Sequence, residues 1–137
     1  KNSYVGRTFI KPTQKERESA VHLKLSILSS VVKGKRLVLI DDSIVRGTTM
    51  ASLIRMLKDA GATEVHVRIS SPPFLFPCYY GTDVPSNDQL IASSHTAAEI
   101  CASIGADSLG YMKLEDLKQM TGDLPLCKAC FDSHYPV

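Results

Sequence analysis

Two rhythms of hydrophobic residues alternate along this chain, one with the spacing of helices and one with that of strands. Val21, Leu25 and Leu28 mark one face of a predicted helix; a Thr13/Glu16 pair spaced as a capping box precedes them, and Gly34 ends the region. Leu37–Ile40 is a short unbroken run of branched apolar residues, the pattern of a strand buried on both faces in a parallel sheet. Small and polar residues fill positions 41–49. Met50, Leu53, Ile54 and Leu57 then form the apolar stripe of a second helix, with Gly61 as its C-terminal stop. Val65, Val67 and Ile69 alternate with polar residues as another strand. Strand, loop, helix, glycine and strand in this order predict a right-handed βαβ unit.

Beyond Ser70 the pattern loosens. Pro72, Pro73 and Pro77 exclude a helix and a central strand there. Short helices are expected over 88–92 and 96–104, the second with a Thr96/Glu99 capping box and Gly105 as its stop. A last strand is expected near 109–111 and a short helix over 114–120. The tail, 121–137, has no periodicity, so something other than a core must order it. The first dozen residues, with Gly6, Thr8 and Pro12, read as an irregular stretch. No internal repeat or low-complexity segment is visible.

Length and composition narrow the field. A chain of 137 residues is one ordinary domain, and 44% apolar with 22% charged residues is a soluble globular composition. No apolar run approaches the roughly 18 residues that a membrane span needs. Sixteen basic and fourteen acidic side chains, evenly spread, leave a net charge of +2, too little to imply nucleic acid. The opening KNSYVGRTFIK lacks the apolar core of a signal peptide and an initiator Met, which suggests a cytoplasmic protein and a piece of something longer. The cysteines, at 78, 101, 127 and 130, form no disulfide scaffold.

The densest chemistry lies in VLIDDSIVRGTT, residues 38–49. Ligands of open parallel sheets bind beyond the carboxyl ends of strands, where this loop sits. Gly47 permits a sharp turn and a close ligand approach. Backbone N–H groups at the start of the following helix make an anion site, to which the hydroxyls of Ser43, Thr48 and Thr49 add. Without GxxxxGK[ST] it is not a Walker loop. Asp41 and Asp42 would repel each other unless a cation, polyol hydroxyls or a developing positive charge compensates them. Carboxylates beside a phosphate cradle point to a ligand with phosphate, sugar hydroxyls and Mg²⁺; the plain alternative is a pair of loop-capping aspartates.

A hydrophobic strand, two acidic residues and a Gly/Thr loop resemble the phosphoribosyl-pyrophosphate (PRPP) loop of type I phosphoribosyltransferases. The string IDDSIVRGTT is similar to the form found in the amidophosphoribosyltransferase family. KNSYVGRTFI, GATEVHVRISSPP, QLIASSH (89–95) and IGAD (104–107) resemble that family in the same order, so the likeness covers essentially the whole chain. Salvage and orotate transferases usually have Thr-Thr-Gly where this chain has Arg46-Gly47-Thr48-Thr49.

The resemblance implies an α/β, partial type I phosphoribosyltransferase fold: a parallel sheet flanked by helices, with a cysteine-containing C-terminal tail. It implies a phosphoribosyltransferase part over 1–120, with a flexible closing loop at 1–12, the PRPP loop at 38–49 and a cluster-binding tail at 121–137. The family's N-terminal glutaminase domain is absent from these residues, so the fragment alone is expected to be inactive. The family transfers glutamine-derived ammonia to PRPP, giving 5-phosphoribosylamine, glutamate and pyrophosphate, the committed step of purine synthesis. Carried over, Asp41 and Asp42 hold ribose hydroxyls and Mg²⁺-pyrophosphate, and Ser43, Arg46, Gly47, Thr48 and Thr49 cradle the 5′-phosphate. Arg7 and Lys24 match basic positions that meet pyrophosphate, although Lys24 equally fits a solvated helix face; Ser3 stands where the family commonly has Arg. A homotetramer inhibited by purine nucleotides is expected, with no nucleic acid or membrane partner. A regulator that binds PRPP without turning it over is the competing reading.

Some family members hold a [4Fe–4S] cluster on four Cys, and the resemblance assigns three of those positions to Cys78, Cys127 and Cys130, with the fourth upstream of Lys1. Spacing alone favours zinc, with His134 as a fourth ligand, and CxxC also fits a redox dithiol, against which no helix is predicted to follow it. Cys101, inside a helical pattern, reads as a small core residue. His22, His66 and His95 have no convergent partners in the pattern, and Tyr79 and Tyr80 read as packing residues.

Overall fold

The computed structural model describes residues 29–136, apart from 83, 85 and 123. The predicted helix behind Thr13 and the irregular opening lie outside them.

A three-stranded parallel sheet organises the described residues. β1 (Arg36–Asp41) pairs with β2 (Glu64–Ile69), and β2 pairs with β3 (Ser108–Tyr111). A helical turn, α1 (Ser29–Val32), leads into β1 through Gly34, whose φ of 72° turns the chain as expected. The crossover from β1 to β2 is α2 (Thr48–Asp59), and the crossover from β2 to β3 ends in α3 (Ala97–Ile104). α3 is closed at both ends as its sequence predicts. Thr96 and Glu99 form the capping box, and Gly105 leaves the helix at φ 74°. α4 (Leu114–Thr121) and a short turn, α5 (Ala129–Asp132), complete the chain.

Helix and strand periods meet in one core. Val65, Val67 and Ile69 point to one face of β2, and Met50 and Ile54 of α2, with Ile100 and Ile104 of α3, cover them. Ile54 is 1% exposed and Val65 and Val67 are fully buried. Asp107 fixes the strand start: its carboxylate accepts from the Val65 amide at 2.7 Å and meets Lys58 at 3.2 Å.

Four expectations change. β1 is not buried on both faces among the described residues: Val38 and Ile40 are 65% and 73% exposed. They share the sheet face opposite α2 and α3, in register with His66 and Arg68. His66 is not without partners, because it bonds Glu64 and Ser108 on that face. The helix expected over 88–92 is two separate 3₁₀ turns, Asn87–Gln89 and Ile91–Ser93, broken at extended Leu90. Cys101 is only partly buried; its thiol faces the Ala106 carbonyl at the helix end. No described helix is long and apolar enough to cross a membrane.

Ile54→Ala removes buried branched carbons at the centre of this core. It should lower the free energy of unfolding by about 2–5 kcal/mol in urea titration. A loss below about 1 kcal/mol would mean that α2 does not pack on β2 as described.

Candidate functional site

The loop between β1 and α2 lies at the carboxyl end of the sheet. Ser70 holds the end of β1 in place, its amide and hydroxyl both donating to the Asp41 carbonyl, at 3.0 and 3.3 Å. Asp41 and Asp42 are both exposed. The Asp42 amide donates to Asp41 Oδ1 at 3.0 Å and the Ser43 hydroxyl to Asp42 Oδ1 at 2.8 Å, so neighbours fix the orientation of both carboxylates. Ile44, 3% exposed, pins the middle of the loop into the core. The Ile91 amide donates to the Val45 carbonyl at 2.9 Å, and the Arg46 guanidinium bonds the Gln89 side chain. The 3₁₀ pair at 87–93 is thus the loop's lateral brace, a role that local sequence pattern does not reveal.

Gly47 is the N-cap residue of α2, in the left-handed region at φ 79°, and no side chain caps the helix. No acidic residue stands in the first turn. The backbone N–H groups at this helix start therefore meet no capping side chain and no first-turn carboxylate, which suits an anion. Thr48 and Thr49 put their hydroxyls at the same end. Gly47 is needed for a reason beyond ligand approach: a Cβ there would meet Ile91 Cδ1 at 3.3 Å and Ile104 Cγ2 at 3.4 Å. Its missing side chain lets α3 and the 3₁₀ brace close against the loop. Arg7, Lys24 and Ser3 lie outside the described residues.

The second constellation joins the segment after β2 to the tail. The amides of Leu75 and Phe76 donate to the Cys130 carbonyl at 2.9 and 3.1 Å, and Phe74 packs on Phe131 with ring centroids 5.1 Å apart. Ala129 is 2% exposed, so part of the tail's order is ordinary packing. A helical turn does begin inside the CxxC pair, contrary to expectation: Cys127 precedes α5 and Cys130 lies within it. Tyr79 and Tyr80 are 70% and 62% exposed, yet both meet the tail, Tyr79 through the Tyr135 ring and Tyr80 through a hydrogen bond to the Pro136 carbonyl.

The cysteines of this region differ in electrostatics. Backbone N–H groups of Gly81, Tyr80 and Thr82 surround Cys78 and lower its pKa from 9.0 to about 7. Burial pushes the Cys130 thiol up, and the charges of Cys78 and Cys127 add to the rise, so both lie within electrostatic reach of Cys130. His134 is turned towards Asp132, with Nδ1 3.6 Å from Oδ1. Among the described residues, no three His, Cys, Asp or Glu side chains gather closely enough to hold a single metal ion.

Comparison with known proteins places the chain among phosphoribosyl transferases. A phosphoribosyl transferase domain family matches residues 3–70, which include the whole loop after β1. An amidophosphoribosyltransferase of Synechocystis is 53% identical over 139 aligned residues, covering 100% of this chain and 28% of that protein. The chain belongs to the amidophosphoribosyltransferase family. Its fold is that of a solved Bacillus subtilis glutamine PRPP amidotransferase complexed with ADP and GMP, with TM-score 0.81, 53% identity, and coverage of 99% of this chain and 31% of that one. A second solved structure, of the allosteric regulatory enzyme of purine biosynthesis, matches with TM-score 0.80, 53% identity, and coverage of 99% and 30%. The chain thus spans about 30% of the length of the amidophosphoribosyltransferases it matches.

Cys78 chemistry is directly testable. A thiol with a lowered folded pKa adds stability that is complete above the unfolded value of 9.0 and is lost as pH falls through about 7. Alkylation of Cys78 in the metal-free protein should follow a titration with its midpoint near 7, read by mass spectrometry of the modified peptide. A midpoint at 9.0 would show that the amides of 80–82 do not stabilise the thiolate.

Gly47→Ala is expected to destabilise the protein by about 1–2 kcal/mol through the left-handed backbone alone. Crowding against Ile91 and Ile104 adds to that, and the shift is read by thermal unfolding. An unchanged melting temperature would contradict the close packing of the loop.

Proposed function

We propose that the loop from Asp41 to Thr49 binds PRPP, and that the polypeptide carrying this chain transfers glutamine-derived ammonia to it. The products are 5-phosphoribosylamine, glutamate and pyrophosphate, at the committed step of purine synthesis. The observation that carries this reading is the pairing of two oriented carboxylates with an uncapped, acid-free helix start at one sheet end. The helix start and the hydroxyls of Ser43, Thr48 and Thr49 receive the 5′-phosphate. Asp41 and Asp42 hold the ribose hydroxyls and the magnesium–pyrophosphate side, and favour the positive charge that grows at the anomeric carbon as pyrophosphate departs. Magnesium, when bound, offsets the charge of the leaving pyrophosphate. Arg46, already tied to Gln89, orients the loop while its charge faces the phosphate. Arg7 and Lys24 would meet the pyrophosphate, and residues 1–12 would close over the sugar and exclude water.

Cys78, Cys127 and Cys130 would ligate a [4Fe–4S] cluster, with a fourth ligand outside these residues. The donor set fits such a group. The three thiols lie on two hydrogen-bonded segments, Cys78 and Cys127 close enough to act on Cys130, and Cys78 sits in a loop of amides that favours thiolate. Zinc fits less well: around one zinc ion thiolates stand only about 3.8 Å apart, and His134 is engaged with Asp132. A cluster spreads its ligands over several iron atoms and needs a wider arrangement. Bound there, it would tie the tail to the body. The matched structure with ADP and GMP supports regulation by purine nucleotides. A cytoplasmic homotetramer is the expected form.

The test is pyrophosphate release from PRPP, with glutamine and with ammonia, by the natural polypeptide that carries these residues. Asp41→Asn and Asp42→Asn should each lower kcat/KM by about 10²–10³-fold. Wild-type rates in both variants would remove the acidic pair from the mechanism. Tight PRPP binding with no release from either nitrogen source would favour the regulator.

A further inference from the structure

Tyr135 sits where the tail, the proline-rich segment and three thiols meet. Its hydroxyl donates to the Pro77 carbonyl at 2.7 Å, immediately before Cys78 in the chain. Its ring leans on Tyr79, with centroids 5.0 Å apart and planes tilted by 44°. The phenol lies within electrostatic reach of Cys130, Cys78 and Cys127 together. An open cleft of about 520 Å³ runs along the tail past Cys127, His134 and Tyr135, so solvent comes close on that side. The phosphoribosyl chemistry at the other site uses none of this.

We propose that Tyr135 is a positioning residue that clasps the tail over the three thiols and screens the group they hold from water and oxidants. The proposal rests on the reading of Cys78, Cys127 and Cys130 as iron–sulfur ligands. Two ties join the tail to the segment leading to Cys78: the Cys130 carbonyl accepts from Leu75 and Phe76, and Tyr135 donates to Pro77. The two ties together hold residues 75–77, just before Cys78, against the tail at Cys130 and Tyr135. With its hydroxyl satisfied by Pro77, Tyr135 adds an apolar ring and no unpaired polar group to the neighbourhood of the thiols. Tyr79, itself exposed, packs against that ring.

The test uses the natural polypeptide purified without oxygen, with the visible absorbance of the iron–sulfur group followed after admission of air. Tyr135→Ala should bleach several-fold faster than wild type. Tyr135→Phe, which keeps the ring and loses the hydrogen bond, should fall between them. Clusters present in all three proteins with equal bleaching rates would overturn the clasp and leave the ligand assignment standing. Wild-type protein without iron would overturn the ligand assignment and the clasp with it. Should Tyr135→Ala retain no iron, alkylation of the iron-free proteins decides. Cys78 and Cys130 should react several-fold faster than in iron-free wild type, relative to Cys101 in the same molecule, and an unchanged ratio would overturn the proposal.

Discussion

Parallel strands cannot be joined by a tight turn, and that constraint governs the molecule. To bring β2 beside β1 in the same direction, the chain must leave the carboxyl end of β1, cross the sheet face as α2 and return. The crossover has to bury its apolar stripe, so Met50 and Ile54 settle on Val65, Val67 and Ile69. It also has to begin just past the strand end, which places Asp41 and Asp42 beside a helix N-terminus. The site is a by-product of the topology, refined by Ile44 from below and by the 87–93 turns from the side.

The βαβ unit was legible because its signals are local. Apolar spacing gave the helix and strands, and glycines at 34, 61 and 105 marked turns that do adopt positive φ. The acidic pair and the Gly/Thr loop were legible for the same reason. What escaped depends on neighbours distant in sequence. The Leu37–Ile40 run predicts burial on both faces, but coverage belongs to the surrounding layers, and the described ones cover a single face. The spacing of Leu90 and Ile91 suits an α-helix, whereas extended Leu90, 1% exposed and directed into the core, divides the segment into two turns. The sequence places Gly47 at a turn; only the fold shows that its absent side chain makes room for Ile91 and Ile104.

The tail illustrates the limit of periodicity. A helix of four residues, Ala129–Asp132, is shorter than any pattern that could announce it. Its order comes from partners more than fifty positions away: Leu75, Phe76 and Phe74 around Cys130 and Phe131, and Pro77 for Tyr135. Those long-range bonds bring Cys78 within electrostatic reach of Cys130. Spacing within CxxC tells nothing of Cys78, which reaches the pair only because the proline-rich segment carries it there.

The opening of α2 on glycine has a thermodynamic consequence. Most helices satisfy their first amides with a Ser, Thr, Asp or Asn side chain, and such a cap is worth about 1 kcal/mol. Here no side chain makes that interaction, and no acidic residue stands in the first turn. An anion that bound this helix start would supply the missing cap, so its binding and the order of the first turn would be one equilibrium. Without such a ligand the first turn lacks that stabilisation, and a bound anion would recover it as affinity.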